Sequence, residues 1–244
     1  MTDPTTGAAA DPDPVAPDPV ARPAAADAQP AHRGPRYVRR FTRTERSLHW
    51  IHAAAFFVLL GSGLVLYLPP LSTAVGRRPL VKDVHWWTAV AWAGAMILVA
   101  VLGNRRAVLR AAREVDTFDA DDRRFLHGNL RAPQGRFNAG QKVNVILTAA
   151  FAVLFAVSGV LLWLGERNHA FRLEGTVFLH DALMYVSLVV LVGHLYLAVI
   201  YPRTRHAMRG ITLGMVREDW AREHHAKWVA QLDAEPAQRD RPRD

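Results

Sequence analysis

The chain has 244 residues, half of them apolar, a formal net charge of +8 and no cysteine. The missing thiols exclude disulfides, iron–sulfur clusters, thiolate zinc sites and covalently attached heme, so a redox cofactor must be held by His or Met and electrons must come from another polypeptide. The charge would suit nucleic acid, but the cations flank four apolar runs instead of forming one basic face, and no nucleic-acid partner is expected.

Residues 1–35 are rich in Ala, Pro and Asp and nearly lack large apolar side chains. Such a segment cannot bury enough surface to offset its ordering entropy and is expected to be a disordered extension. It has no apolar stretch of its own and so does not read as a signal peptide. Arg39-Arg40 before the first apolar run lacks the cleavage site of a twin-arginine leader. The four runs lie at about 47–68, 84–103, 143–164 and 176–201, each near the ~20 residues that cross a bilayer as a helix. They predict an all-α, integral membrane four-helix bundle over 36–204, followed by a basic, partly amphipathic tail over 205–244. Cations concentrate before the first span, between the second and third, and after the fourth; the other two connections hold only Arg77, Arg78 and Lys82, and Arg167 and Arg172. The positive-inside rule therefore puts both termini and the long middle loop in the cytoplasm, with the bundle in a bacterial inner membrane.

Thr42-Arg43-Thr44-Glu45 has the form of a capping box opening the first span. His49 and His52 follow, one turn apart, near the cytoplasmic end, and Gly61 and Gly63 would let a macrocycle or a neighbouring helix approach. His85 opens the second span at the external face. The connection 104–140 mixes Asp and Arg and reads as solvated surface, except at its end. There Arg136-Phe137-Asn138-Ala139-Gly140-Gln141-Lys142 sets two amides, a glycine and a cation at the membrane surface, groups able to meet the carbonyls of a quinone. The third span has no histidine and reads as a structural wall; His169 beyond it is expected to be solvated, and His224 and His225 in the tail to make surface or partner contacts.

The fourth span carries His180 and His194, fourteen positions apart. That spacing leaves them about 40° apart around a helix and roughly 21 Å apart along it. Imidazole is costly in hydrocarbon and marks a functional site there by default. Threading the spans in alternating directions sets His85 at the depth of His180 and His49 at the depth of His194, with His52 as the alternative first-span partner. Two bis-His pairs suit two b-type hemes. A heme-free membrane anchor or assembly scaffold, with the histidines as helix–helix hydrogen-bond partners, is the alternative of another class. A transporter finds little support, since Asp181 is the one carboxylate inside the spans and no paired interruptions occur.

From about Arg39 to Trp228 the sequence resembles the gamma, or cytochrome b, subunit of membrane-bound respiratory formate dehydrogenase. The resemblance rests on Glu45-Arg46-Ser47-Leu48-His49-Trp50, on Phe137-Asn138-Ala139-Gly140-Gln141-Lys142, on the His180/His194 spacing, and on Trp220-Ala221-Arg222-Glu223-His224-His225. It implies that His49 and His194 hold an inner heme b and His85 and His180 an outer one. It also implies a site for menaquinone, or ubiquinone, formed with Asn138, Gly140 and Gln141. The chain would then be the electron-transfer and quinone-reducing subunit of a complex with an iron–sulfur beta subunit and a catalytic alpha subunit, anchored in membrane lipid, with association of complexes left open. The cytochrome b subunit of a membrane-bound hydrogenase has similar architecture and stays open as the alternative donor.

Overall fold

A computed structural model describes residues 35–239; the Ala/Pro-rich extension, apart from Pro35, lies outside the described residues. Strand β1 (Tyr37–Arg39) leads into helix α1 (Arg43–Tyr67). The Thr42 hydroxyl accepts from the Glu45 amide and the Glu45 carboxylate accepts from the Thr42 amide. This reciprocal cap satisfies two end donors and starts α1 ahead of the apolar run itself. Pro69 opens the short α2 (Pro69–Val75), and Gly76, at φ 64°, takes the left-handed turn that stops it. Then come α3 (Arg78–Leu102), α4 (Arg105–Asp116), α5 (Ala120–Leu126), α6 (Ala139–Gly165) and α7 (Thr176–Leu195). The last continues as a π-helical turn over Tyr196–Ile200. The chain ends in α8 (Met208–Leu213), β2 (Met215–Arg217), α9 (Glu218–His224) and α10 (Ala226–Arg239).

Four of these helices, α1, α3, α6 and α7 with its π-turn, are long and apolar enough to cross a membrane. Helix α3 buries no residue and α1 buries only Ser62, as befits side chains whose solvent is lipid. The helices pack as two hairpins. Helix α1 lies along α3 and α6 along α7, while neither helix of one hairpin runs against the other hairpin at backbone packing distance among the described residues. Ordinary helix pairs approach to about 8–10 Å between axes, so a slot separates the hairpins. Side chains cross it: Tyr67 meets Tyr185 at 5.8 Å between ring centres, and Trp86 stacks on Trp163 at 4.6 Å and 6°. At the end away from the termini, Lys82 adds an ion pair to Glu166 at 2.8 Å.

The opposite end, where the described residues begin and end, carries a cap that the hydropathy pattern does not announce. β1 and β2 pair antiparallel with Val38 opposite Val216, tying the chain before α1 to the chain after α8. Val216, Ala221, Trp228 and Val229 form its small core. The connection 104–140, read from its charges as solvated surface, instead holds α4 and α5 and buries part of its charge. Asp122 is 3% exposed and its carboxylate takes Lys142 Nζ at 2.6 Å. Arg136 is clamped between Glu45 at 2.7 Å and Glu114 at 2.6 Å. Reciprocally, Arg136 donates to the Arg40 carbonyl and Arg40 to the Arg136 carbonyl. Alternating charges mark a solvated face only while nothing packs on them; here α6 and the chain before α1 do.

His225 is a correction as well. It was expected at the surface, but it is 1% exposed, and its Nδ1–H donates to the Gly135 carbonyl at 2.7 Å. Burial, then the nearby Arg40 guanidinium and His224, push its pKa from 6.5 down to about 2. The folded state thus resists a proton that the unfolded chain accepts, so the full stability is present above pH 6.5 and is lost as pH falls toward 2. At about 1.4 kcal/mol per pH unit, going from pH 6.5 to 5 should cost about 2 kcal/mol. Thermal unfolding in detergent at the two pH values checks this. His225→Asn keeps a donor for the Gly135 carbonyl and should lose that part of the pH dependence.

Candidate functional site

Two pairs of histidines face each other across the slot. His49 of α1 and His194 of α7 have ring centres 6.4 Å apart; His85 of α3 and His180 of α7 have theirs 6.3 Å apart. His52 points elsewhere, packing against Phe56 at 6.2 Å and Trp92 at 5.8 Å. The structure therefore brings His49, and not His52, to His194.

The separation has a chemical meaning. A metal–imidazole bond of about 2 Å and about 1.1 Å from nitrogen to ring centre, taken twice, give roughly 6.2 Å between rings sharing one metal. Two directly hydrogen-bonded or stacked imidazoles would sit closer. Among the described residues no three His, Asp or Glu side chains gather to hold a bare ion. An iron with two imidazoles needs its other positions filled, as a porphyrin fills them. The residues present, two facing imidazole pairs at this separation, fit a heme.

The pair His85/His180 is braced by two hydroxyls. Ser62 Oγ and Ser158 Oγ stand 2.8 Å from His85 Nδ1 and 2.8 Å from His180 Nδ1. Reading the sequence missed both serines, and the third span, taken there as a wall, carries one of them. The available signal was the dipeptide Ser-Gly, which occurs at 62–63 on α1 and at 158–159 on α6. A Cβ on Gly63 would stand 3.5 Å from His85 Cε1, and one on Gly159 would stand 3.6 Å from His180 Cε1, so each imidazole edge seats on a bare backbone. At the other pair no such brace exists among the described residues, and His49 Nδ1 is buried without a partner.

Asn138 and Gln141 begin α6 in a second reciprocal cap. Asn138 Oδ1 accepts from the Gln141 amide at 2.8 Å, and Gln141 Oε1 accepts from the Asn138 amide at 3.1 Å. Gln141 Oε1 also takes Arg40 at 3.0 Å. Both side-chain oxygens are thus committed to structure, whereas neither side-chain NH2 has a partner among the described residues. Gly140 lies beside them, with room for a Cβ only 3.5 Å from Asn138 Oδ1. Lys142, the cation of the same motif, is consumed by Asp122 and the Thr117 carbonyl. Arg40 is 3% exposed, has no carboxylate partner among the described residues, and lies over the Phe41 and Trp220 rings. Burial, and then Arg136, lower its pKa to about 9. Arg40 Nε and Arg136 Nη2 are buried without acceptors, two unmet donors beside the start of α6.

A family model for prokaryotic cytochrome b561 matches residues 40–214, well over half of the chain. The chain belongs to the prokaryotic cytochrome b561 family. This family implies heme b, in agreement with the fit of the histidine pairs. The chain is similar to the cytochrome b556(fdo) subunit of formate dehydrogenase from Escherichia coli K12, at 28% identity over 200 residues, covering 79% of this chain and 92% of that one. It is also similar to the formate dehydrogenase cytochrome b556 subunit of Haemophilus influenzae, at 26% over 196 residues, covering 75% and 78% of the two. The nitrate-inducible formate dehydrogenase cytochrome b556(Fdn) subunit of E. coli K12 matches at 20% over 208 residues, covering 80% and 92%. The match to cytochrome b561 spans all four long helices and every histidine of the two pairs.

Proposed function

We propose that this cytochrome b561 relative is the diheme membrane subunit of a formate dehydrogenase complex. In that role it carries electrons from an iron–sulfur subunit to menaquinone or ubiquinone and anchors the complex in a bacterial inner membrane. The observation that carries the reading is the two histidine pairs, each at the ring separation of a shared iron and each bridging the slot between hairpins. When bound, two b hemes supply one-electron carriers at two depths. His49 with His194, and His85 with His180, hold and orient them. The relatives named as formate dehydrogenase subunits favour formate over hydrogen as the source of electrons.

The terminal end carries the quinone role in this reading. Asn138 and Gln141 keep their amide NH2 groups free while their oxygens fasten α6, and Gly140 keeps the approach unobstructed. With both termini cytoplasmic, quinone takes up its protons on that side, opposite to the electron donor. Moving a charge inward against the membrane potential is worth about 2.3 kcal/mol per 100 mV, so this placement conserves energy.

Heme quantitation with a reduced-minus-oxidised spectrum on the purified chain tests the reading. The expected result is two b hemes per chain with low-spin bands. A folded preparation, expressed with ample heme, that stays colourless would overturn it and leave a membrane anchor. Co-purification of a formate-oxidising activity with the tagged chain from membranes, and its reduction of the b bands, tests the donor.

A further inference from the structure

The brace at the His85/His180 pair does more than fill space. Ser62 Oγ lies 2.8 Å from the Val58 carbonyl, and Ser158 Oγ lies 2.7 Å from the Leu154 carbonyl. A carbonyl only accepts, so each hydroxyl spends its single proton there. What the hydroxyl turns toward the imidazole is a lone pair, and Nδ1 of His85 and of His180 must therefore carry the proton. Nε2 is left with its lone pair free for a metal. Serine bonded back to its own helix occurs in apolar helices and needs no second partner. Here the same arrangement occurs on two separate helices, at matching distances, each followed by a glycine under the ring. Ser62 is 9% and Ser158 1% exposed, so water does not compete for either contact.

A hydrogen bond from the outer ring N–H raises the basicity of the nitrogen bound to the metal. A more electron-rich ligand favours ferric over ferrous iron and so lowers the midpoint potential, one of the levers a protein has on a heme. The hydroxyl is itself polarised by donating to a carbonyl, which strengthens the contact. His49 Nδ1 has no such partner. Resting on the reading of the pairs as heme sites, we propose that Ser62 and Ser158 are positioning residues that fix the tautomer of His85 and His180 and hold the midpoint potential of that site below that of the His49/His194 site. The two sites are then ordered so that an electron entering away from the termini is drawn toward the quinone end.

The test is a spectroelectrochemical titration of the full chain, wild type against Ser62→Ala/Ser158→Ala. Heme content is counted first: a wild type without two hemes overturns the site reading before any potential is measured. With two hemes present, the double variant should show one component moved to higher potential, the other unmoved, and the gap between them narrowed. Repeating the pair of substitutions in a His49→Ala background, where only the braced site remains, assigns the component that moves. Ser62→Thr/Ser158→Thr keeps both hydroxyls and should restore the low potential. Loss of the braced heme from the alanine variant with its retention in the threonine variant supports the same role. Unmoved potentials with both hemes bound, movement of the other component, or failure of threonine to restore the low value overturns it.

Discussion

Replacing His85 by alanine should halve the heme content and leave the remaining b heme with its low-spin spectrum. His85 and His180 face each other at 6.3 Å between ring centres, apart from His49 and His194 at 6.4 Å. The two sites share α7, and α1 carries both His49 and Ser62, but they share no imidazole, so removing one ring empties one site without opening the other. His180→Ala should give the same product, and His49→Ala or His194→Ala the complementary one. His52→Ala should retain both hemes, because that ring packs on Phe56 and Trp92. Pyridine hemochrome assay and low-temperature difference spectra on detergent-purified chain read all five variants. Loss of both hemes from a folded His85→Ala chain would mean that the sites form as a unit and would refute their independence.

Lys142→Met should destabilise the cap by about 3–5 kcal/mol, the usual result of stranding one partner of a buried ion pair. Asp122 is 3% exposed; its Oδ2 takes Lys142 Nζ at 2.6 Å and the Asp119 amide at 3.1 Å. Without the ammonium, a carboxylate remains where water cannot reach it. Asp122→Asn added to Lys142→Met removes that charge while keeping an acceptor for the Asp119 amide, and it should recover most of the loss. Denaturant unfolding in detergent measures both. The position also matters for the site, since Lys142 stands one residue beyond Gln141 on the first turn of α6. A single variant within about 1 kcal/mol of wild type would show that the pair is not what fastens this turn.

Those two expectations stand differently toward the sequence. The histidine pairs are legible there because a bilayer turns position along the chain into depth. Once four spans are recognised, alternating direction matches His85 with His180 and His49 with His194, before any contact is known. The choice of His49 over His52 is not reached by depth, since one turn separates them; it depends on which face of α1 meets α7. The Asp122–Lys142 pair is invisible in the same way. Twenty positions apart in a connection full of charges, the two look solvated until α5 and α6 are laid together. The same holds for His225, whose buried place depends on Gly135, ninety positions earlier.

Hydropathy and charge along the chain determined that this protein has four membrane-length helices, which of their ends carry the basic clusters, and which histidines share a depth. Those properties are local or one-dimensional: apolar length, the cation count of each connection, and the rise of a helix. Tertiary structure alone decided that the helices close into two hairpins with a slot between them. It also decided that Ser62 and Ser158 stand against Nδ1 of His85 and His180, and that the segments before α1 and after α8 join in a ribbon over the terminal end. Each of these depends on lateral distances between helices and on which face of each helix turns inward. The hydropathy of an apolar helix surrounded by lipid is nearly the same on every side, so its pattern carries little record of that choice.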